Sequence, residues 1–404
     1  MIILKFYPFW EDIFIMDFTK LREFMDYMAS EHTVGNSICI YKENKKIFEY
    51  FSGYNDYEAK TPLTGDEMYY IYSCSKVATV TAMLQLVEKG IVKLNDKLSD
   101  YIPEFETMYI KDDEGNESKA TTPITIKHLL TMTAGLTYNF RKEAFEKARA
   151  VTNGHFDTLP TIKCLAGAEL WYNPGDDWKY SLAHDVLGAV IEVVTGMKFG
   201  EYMQENIFRP LEIEAGYDVH KYKDRLAELY HFVPLSGEMD DIVEAQKHNT
   251  STKGKFVNEN KHNSLIYGDR YESGGAGIIT TVADYAKLAS ALANDGVGAN
   301  GARILKPETI KMMCENHFPK GELSQHGWTH LTGYGYGLGV RIHLYPEISD
   351  CPTNVGEFGW CGAAGAALIS DPTAKLGVFY AQHTLNPREN YYFPLLKKAI
   401  YECL

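Results

Sequence analysis

The feature of this sequence best suited to chemistry is a serine followed three residues later by a lysine. Ser73 and Lys76 lie in the tetrapeptide SCSK, after the strand-like run at 68–72 and at the start of a helical pattern. Residues i and i+3 share one helix face, so the amine of Lys76 can approach the hydroxyl of Ser73. A serine needs a base to take its proton, and lysine serves when burial or a nearby charge lowers its pKa. The spacing therefore predicts a nucleophile and its base on one rigid turn.

The same spacing has a second interpretation, in which Ser73 caps the N-terminus of the helix. A serine three residues before a lysine is a common chance pattern. The sequence contains no G-x-S-x-G nucleophile elbow, no H-E-x-x-H zinc motif and no P-loop. On spacing alone the capping role of Ser73 is favoured, and a catalytic role needs support from further elements.

Periodic patterns indicate the elements that would position this pair. Residues 37–54 predict a β-hairpin with its turn at Glu43–Lys46. Helical spacing of apolar residues predicts helices at 73–89 (capped by Gly90), 125–131, 181–196 (closed by Gly196), 281–295 and 392–403. Glycine-punctuated strand patterns occupy 333–344, 361–371 and 376–384.

The region between the third and fourth predicted helices is polar and irregular. We expect residues 215–270, with their Lys/Asn/His-rich stretch at 247–263, to form a surface excursion. Strand patterns lie at both ends of the chain and helical patterns fill the middle. This order predicts a sheet assembled from the two ends, with a helical region inserted between them.

The composition limits the classes of partner. The chain has 404 residues, of which 45% are hydrophobic, enough for one large or two intimate domains with a substantial core. Its net charge of −14 argues against nucleic acid and anionic membrane surfaces as main partners. No apolar run approaches the length of about 18 residues that spans a bilayer, so a membrane helix is not expected.

The cysteines and the N-terminus bear on location. Seven cysteines are scattered without C-x-x-C pairing, which is typical of reduced thiols in a cytoplasmic protein. The apolar start at 1–18 is interrupted by charged residues and lacks a small-residue cleavage site, so a signal peptide is not expected. Either Met1 or Met16 could begin the natural chain. These features predict a cytoplasmic location.

SCSK and six other segments of the chain resemble the serine β-lactamase and penicillin-binding-protein superfamily, and they occur in the order found in that superfamily. The resemblance is strongest to class C β-lactamases, D-aminopeptidase-like proteins and family VIII carboxylesterases. It runs from about Gly35 to the C-terminus. The segments that carry it are SCSK (73–76), GIVKLNDKLSDYIPEF (90–105), ITIKHLLTMTAGL (124–136), PGDDWKYSLAHDVLGAVIEVVTG (174–196), SGGAGIITTVADYAKLASAL (273–292), GYGLGV (335–340) and GWCGAAGAALISDP (359–372).

The resemblance implies an α+β fold with a mainly antiparallel sheet flanked by helices and an inserted, mostly helical domain. It implies one catalytic unit over 17–404, preceded by an N-terminal extension at 1–16. The α/β part would comprise about 17–72 and 265–404, and the helical part about 73–264. The site would lie between the two parts.

The resemblance also implies roles for individual residues. Ser73 would be the acylated nucleophile and Lys76 its closest partner. Tyr180 matches the tyrosine of the family's Tyr-x-Asn element and would help to move the Ser73 proton, although Leu182 replaces the asparagine. The backbone N–H groups of Ser73 and Ala363 would form the oxyanion hole, each donor contributing about 3 kcal/mol to transition-state stabilisation.

The third family element, Lys-Thr-Gly, is replaced here by Trp360-Cys361-Gly362, which resembles the Trp-Gly-Gly form of the esterase branch. The change removes a cation that helps to hold a β-lactam carboxylate and adds an aromatic wall beside the substrate. These three residues are expected to bind substrate. Together with the loss of asparagine at Leu182, the change favours ester substrates over β-lactams.

Other candidate residues have alternative explanations. Tyr334 and Tyr336 could line an acyl pocket or simply pack, and Cys361 could be a reactive thiol or a buried, inert one. The His184-Asp185 pair could belong to a Ser-His-Asp triad, but neighbouring residues point to different helix faces. His326 and His330 have a metal-compatible spacing, but their flanking glycines indicate a loop.

The leading hypothesis is a serine hydrolase that cleaves small or medium esters through a Ser73 acyl-enzyme. A β-lactamase, a D-amino-acid peptidase, an acyltransferase and a non-catalytic ligand-binding relative remain alternatives. The intact Ser73, Lys76 and Tyr180 argue against the last of these. We expect a small-molecule acyl substrate and neither a cofactor nor a metal, whereas the oligomeric state stays open.

Overall fold

The structure, a computed structural model, describes residues 16–111, 116–138, 142–234, 254–319, 321–349 and 351–404. Most of the predicted N-terminal extension, residues 1–15, lies outside these ranges. The helices are α1 (Thr19–Glu31), α2 (Ser75–Glu88), α3 (Ile126–Leu130), α4 (Lys142–Val151), α5 (Thr158–Leu165), α6 (Ala183–Thr195), α7 (Phe199–Met203), α8 (Val219–Tyr222), α9 (Val282–Ala293), α10 (Pro307–Met313) and α11 (Glu389–Tyr401).

The strands include the predicted N-terminal hairpin and the glycine-punctuated C-terminal strands. They are β1 (Gly35–Lys42), β2 (Lys45–Asp56), β3 (Thr61–Pro62), β4 (Tyr69–Tyr70), β5 (Tyr109–Lys111), β6 (Glu117–Lys119), β7 (Ala215–Gly216), β8 (Tyr230–Pro234), β9 (Gly254–Asn258), β10 (Ile279–Thr280), β11 (Tyr334–Tyr336), β12 (Arg341–His343), β13 (Phe358–Gly362), β14 (Ala366–Asp371), β15 (Leu376–Ala381) and β16 (Thr384–Leu385).

Strands from the two ends of the chain form one large sheet. Its order among the described residues is β11-β12-β13-β14-β15-β1-β2-β3, and neighbouring strands are antiparallel. Helix α9 packs across β1, β14 and β15, while α1 packs on β1 and β2 and against α11. The α+β fold implied by the resemblance is therefore confirmed.

Helix α6 is the centre of the helical region. Residues 183–192 are all buried, and the helix packs against α2, α3 and α5. A helix that is apolar on nearly all sides needs neighbours all round. Gly196 closes the helix in the left-handed conformation, with a φ of 71°, as the sequence predicts. The packing of α6 fixes the position of Tyr180, which lies just before its first turn.

The prediction of an irregular surface excursion over 215–270 is wrong in part. Strand β8 lies in this region and pairs with β9 on one side and β16 on the other. Alternate residues of β8 are buried, which is the period of a strand with one covered face. Residues 235–253, including the first part of the Lys/Asn/His-rich stretch, lie outside the described residues.

Two further properties concern the whole described chain. Within those ranges, no helix has both the length and the apolar character needed to cross a bilayer. All seven cysteines have free thiols.

A charged pair is buried beside the main sheet. Arg341 donates a hydrogen bond to Glu357 at 2.7 Å, and both side chains have no exposed surface. Glu357 also accepts a hydrogen bond from the Tyr334 hydroxyl at 3.0 Å. Removing one partner of such a pair leaves an uncompensated charge in a low-dielectric environment.

We therefore expect Glu357→Gln to lower the free energy of unfolding by about 3–5 kcal/mol. Glu214→Gln is the matched control, because Glu214 pairs with Arg225 at 2.8 Å with both side chains more than 40% exposed. An exposed pair contributes at most about 1 kcal/mol. Urea unfolding of both variants measures the difference, and equal losses of stability would contradict the importance of the buried pair.

Candidate active site

Ser73 lies in a single 3₁₀ turn, Tyr72–Cys74, that leads into α2. Tyr72 has a left-handed φ of 46°, which costs a non-glycine residue on the order of 1–3 kcal/mol, and its ring is buried. Ser73 is half-buried, whereas the residues on either side are buried. Cys74, not Ser73, is the N-cap of α2. The hydroxyl of Ser73 is therefore not used to cap the helix.

Lys76 is buried and placed against the Ser73 hydroxyl. Its Nζ atom lies 3.1 Å from Ser73 Oγ and donates to the Gly275 carbonyl at 2.8 Å and the Tyr138 hydroxyl at 3.1 Å. Burial lowers the pKa of Lys76 to about 8. In the neutral amine, two hydrogens can stay with Gly275 and Tyr138 while the lone pair faces Ser73. This geometry suits a base that accepts the Ser73 proton.

Tyr180 completes the group around Ser73. Its hydroxyl oxygen accepts a hydrogen bond from the Trp360 indole N–H at 2.9 Å, and the hydroxyl is also hydrogen-bonded to that of Ser73. Burial raises the pKa of Tyr180, and these two hydrogen bonds only partly oppose the rise. Lys76 Nζ also lies 4.8 Å from the centre of the Tyr180 ring. Tyr180 is therefore a neutral phenol that can relay a proton, and Lys76 is the better resting base.

The two segments that would form the expected oxyanion hole are in direct contact. Strand β13 packs against the turn that carries Ser73, and the Cys74 thiol donates to the Trp360 carbonyl at 3.4 Å. A side chain on Gly362 would collide with the Ile71 carbonyl, so glycine permits this close approach. Ala363 is an exposed residue of the turn between β13 and β14. It directly follows the strand that contacts the Ser73 turn.

Comparison with known proteins identifies the family of the chain. Residues 21–395 match the family model described as Beta-lactamase. The chain belongs to the β-lactamase family. Lovastatin esterase from Penicillium rubens is 30% identical over 70% of this chain and 72% of its own length. Esterase EstB from Burkholderia gladioli is 26% identical over 88% of each chain.

Solved structures show the same fold. The structure of EstCE1, described as a hydrolase with promiscuous acyltransferase activity, has a TM-score of 0.74 at 24% identity. The match covers 95% of this chain and 97% of that one. With the family match and the esterase relatives, these results identify the protein as a serine hydrolase of the β-lactamase fold.

Two of the predicted substrate-binding side chains are not brought to the site of this β-lactamase-family enzyme. The Cys361 thiol is buried and hydrogen-bonded to Glu389 of α11, and burial raises its pKa. Only the backbone of Cys361 belongs to the site, and a reactive thiol is not supported. The hydroxyl of Tyr334 instead donates to Glu357 and accepts from Lys397 at 2.9 Å, away from Ser73.

Two tryptophan side chains, Trp360 and Trp328, pack against Tyr180. The rings of Trp360 and Trp328 lie 5.4 Å and 5.2 Å from the Tyr180 ring, between centroids. We call Tyr180, Trp328 and Trp360 the aromatic wall. Tyr336 is buried behind it, with its ring 5.3 Å from that of Trp360. Tyr336 therefore supports the wall by packing and does not face an open pocket.

Sequence reasoning missed three residues of the site. Tyr138 follows a segment that carried the family resemblance, but one of 28 tyrosines gives no separate signal. Trp328 lies in a loop where the sequence analysis considered only the two histidines. Asp185 was considered only as a partner of His184, whereas the structure places its charge near Lys76.

The three histidines considered in the sequence analysis take part in packing or in hydrogen bonds away from Ser73, or have no hydrogen-bond partner among the described residues. Both ring nitrogens of His184 lack a hydrogen-bond partner among the described residues, so it is not the base of a Ser-His-Asp triad. His330 is hydrogen-bonded to Glu389 and Asn390, and the His326 ring packs against those of Trp178 and Phe318. Nowhere in the described chain do three His, Cys, Asp or Glu side chains form a group that could hold a metal ion.

The lowered pKa of Lys76 predicts the pH dependence of catalysis. We expect kcat/KM for a chromogenic acetate ester to rise with pH, with a midpoint near 8, because Lys76 must lose its proton before it accepts that of Ser73. Lys76→Arg should lose about 10²–10⁴-fold in kcat/KM at every pH, since guanidinium stays protonated. Lys89→Arg, near the end of the same helix, is the control. A flat wild-type profile from about pH 6 to about pH 9 would contradict this role.

Proposed function

We propose that the protein is a carboxylesterase that cleaves small or medium acyl esters through an acyl-enzyme on Ser73. The observation that carries the proposal is the hydrogen bond from the Trp360 indole to Tyr180, at 2.9 Å. This hydrogen bond holds an aromatic ring beside Tyr180, and by the resemblance Trp360 stands at the position where β-lactamases carry a lysine. The two esterase relatives, at 30% and 26% identity, support the same conclusion.

The first half of the reaction forms the acyl-enzyme. Lys76, with Tyr180, takes the proton of Ser73 while Ser73 Oγ attacks the ester carbonyl carbon. The negative charge that develops on the carbonyl oxygen is received by the backbone N–H groups of Ser73 and Ala363. As the carbon–oxygen bond to the alcohol breaks, the proton passes through Tyr180 to the leaving oxygen. The alcohol departs and the acyl group stays on Ser73.

The second half returns the enzyme to its starting state. Water attacks the acyl carbon and gives a proton to the same Lys76–Tyr180 pair. Collapse of the tetrahedral intermediate breaks the bond to Ser73 Oγ, which takes that proton back. The carboxylic acid product leaves. An alcohol in place of water would give acyl transfer, which is the alternative outcome of the same chemistry.

The aromatic wall sets the kind of substrate. Trp328 is half-buried and packs 5.8 Å from Trp360 between ring centroids, while Trp178 and Tyr336 are buried behind them. A surface of this kind binds apolar or planar groups through area and ring contacts. We therefore propose a neutral, apolar group on the part of the ester that faces Trp328.

The cysteines support a proposal about location. All seven have free thiols, and five of them are buried. Unpaired cysteines in this number are typical of proteins kept in a reducing compartment. We propose a cytoplasmic enzyme that acts on a small-molecule ester.

Purified protein offered a chromogenic short-chain ester and a chromogenic cephalosporin tests the reaction class. We expect ester turnover far above cephalosporin turnover, and loss of both in Ser73→Ala. A fluorophosphonate should label the wild type once and Ser73→Ala not at all. Faster cephalosporin turnover would move the assignment to the β-lactamase branch. Absence of any Ser73 adduct would instead favour the alternative of a non-catalytic ligand-binding protein.

The aromatic wall predicts a substrate preference. Trp328→Ala should lower kcat/KM for a naphthyl ester about fivefold more than for a methyl or ethyl ester, since a ring contact contributes about 1 kcal/mol. Trp171→Ala is the control, because Trp171 is 52% exposed and contacts Lys179 instead. Equal effects of Trp328→Ala on both esters would show that Trp328 does not select substrate.

A further inference from the structure

Asp185 is a buried carboxylate whose hydrogen bonds all lead to the segment that contacts Lys76. Its Oδ1 atom accepts from the Tyr271 hydroxyl at 3.0 Å and the Ser273 hydroxyl at 2.6 Å. The backbone N–H of Gly275 is a third donor. Alternate residues of one segment, 271–275, are thus tied to a single side chain of α6.

Gly275 connects this carboxylate to the catalytic amine. Its carbonyl accepts a hydrogen bond from Lys76 Nζ at 2.8 Å. A Cβ atom on Gly275 would lie 2.5 Å from Asp185 Oδ2 and 3.3 Å from Lys76 Nζ. Asp185 and Lys76 therefore face each other across the space that glycine leaves empty. Both side chains contact the backbone of Gly275, Lys76 at the carbonyl and Asp185 at the N–H.

We propose that Asp185 is a positioning residue of this site, which holds the Gly275 carbonyl against Lys76 and places a negative charge opposite the amine. The inference rests on the proposed function, in which Lys76 is the base for Ser73. Asp185 does not touch Ser73, so it acts on the reaction through Lys76. Its charge favours the protonated amine and opposes the effect of burial.

Seven other titratable groups near this pair stay neutral at the pH of the reaction. Burial raises the pKa of the surrounding phenols and of a nearby thiol, and it lowers the pKa of the neighbouring imidazole. A change in the pH profile on loss of the Asp185 charge can therefore be assigned to Lys76. These groups are Tyr138, Tyr180, Tyr217, Tyr267, Tyr271, Cys74 and His184.

Glu192 provides a matched control in the same helix. It lies two turns beyond Asp185, is also buried, and accepts hydrogen bonds from the backbone N–H groups of Leu159 and Phe199. Burial raises its pKa, as it does that of Asp185. Glu192→Gln therefore reproduces the loss of a buried carboxylate without a change beside Lys76.

The experiment compares kcat and KM across pH for the wild type, Asp185→Asn and Glu192→Gln with one chromogenic ester. Asp185→Asn should move the midpoint of the kcat/KM profile to lower pH by about one unit, because the neutral amine is then favoured. It should also lower kcat on the plateau about tenfold, since the Gly275 carbonyl is less firmly placed. Glu192→Gln should leave the midpoint unchanged. An unchanged midpoint in Asp185→Asn, or an equal shift in both variants, overturns the proposal.

The wild type separates this result from a failure of the proposed function. If the wild type neither hydrolyses esters nor forms a Ser73 adduct, the esterase proposal fails and takes the role of Asp185 with it. If kcat/KM rises with a midpoint near pH 8 in both the wild type and Asp185→Asn, only the proposed role of Asp185 fails.

Ser273→Ala decides the question if Asp185→Asn does not fold. This variant keeps the charge of Asp185 and removes the hydrogen bond of 2.6 Å that orients it. We expect kcat to fall several-fold with little change in KM or in the midpoint of the profile. An unchanged kcat in Ser273→Ala would overturn the positioning role.

Discussion

The burial of the Lys76 amine is the constraint on which the rest of the site depends. An ammonium group without solvent is unfavourable, so it must either lose its proton or find acceptors in every direction. Here its neighbours are Ser73, Tyr138 and Gly275, which come from the 3₁₀ turn before α2, the segment after α3 and the loop before β10. The base therefore exists only when these three segments are packed around α2.

This constraint also explains why the two halves of the site differ in character. Around Lys76 the contacts are polar and directional, whereas beyond Tyr180 they are made by aromatic rings. Trp360 joins the two halves, because its indole N–H contacts the Tyr180 oxygen while its ring forms part of the wall. A substrate carbonyl would thus lie between an ordered set of hydrogen bonds and an apolar surface.

The part of the site that could be predicted is the part encoded by local spacing. Ser73 and Lys76 meet because they are three residues apart where the 3₁₀ turn runs into α2. Tyr138 and Asp185 could not be assigned in this way, because their roles depend on contacts between elements distant in sequence. For Tyr334 the sequence left pocket lining and packing both open. The structure joins its hydroxyl to Glu357 and Lys397, and these contacts between distant residues have no local signal.

The fold was predictable to a similar degree. Long apolar patterns with closing glycines gave α2 and α6 correctly, whereas the short strand β8 was hidden in a polar region and is stabilised by pairing with β16. The pairing of β1 with β15 joins Ser37 to Ala381. At about 5–20 residues per second, a ribosome needs on the order of 20–70 s to make the chain between these partners. During that interval the edge of β1 that β15 will cover has no partner strand, and an unpaired edge of this kind is a template for association with other chains.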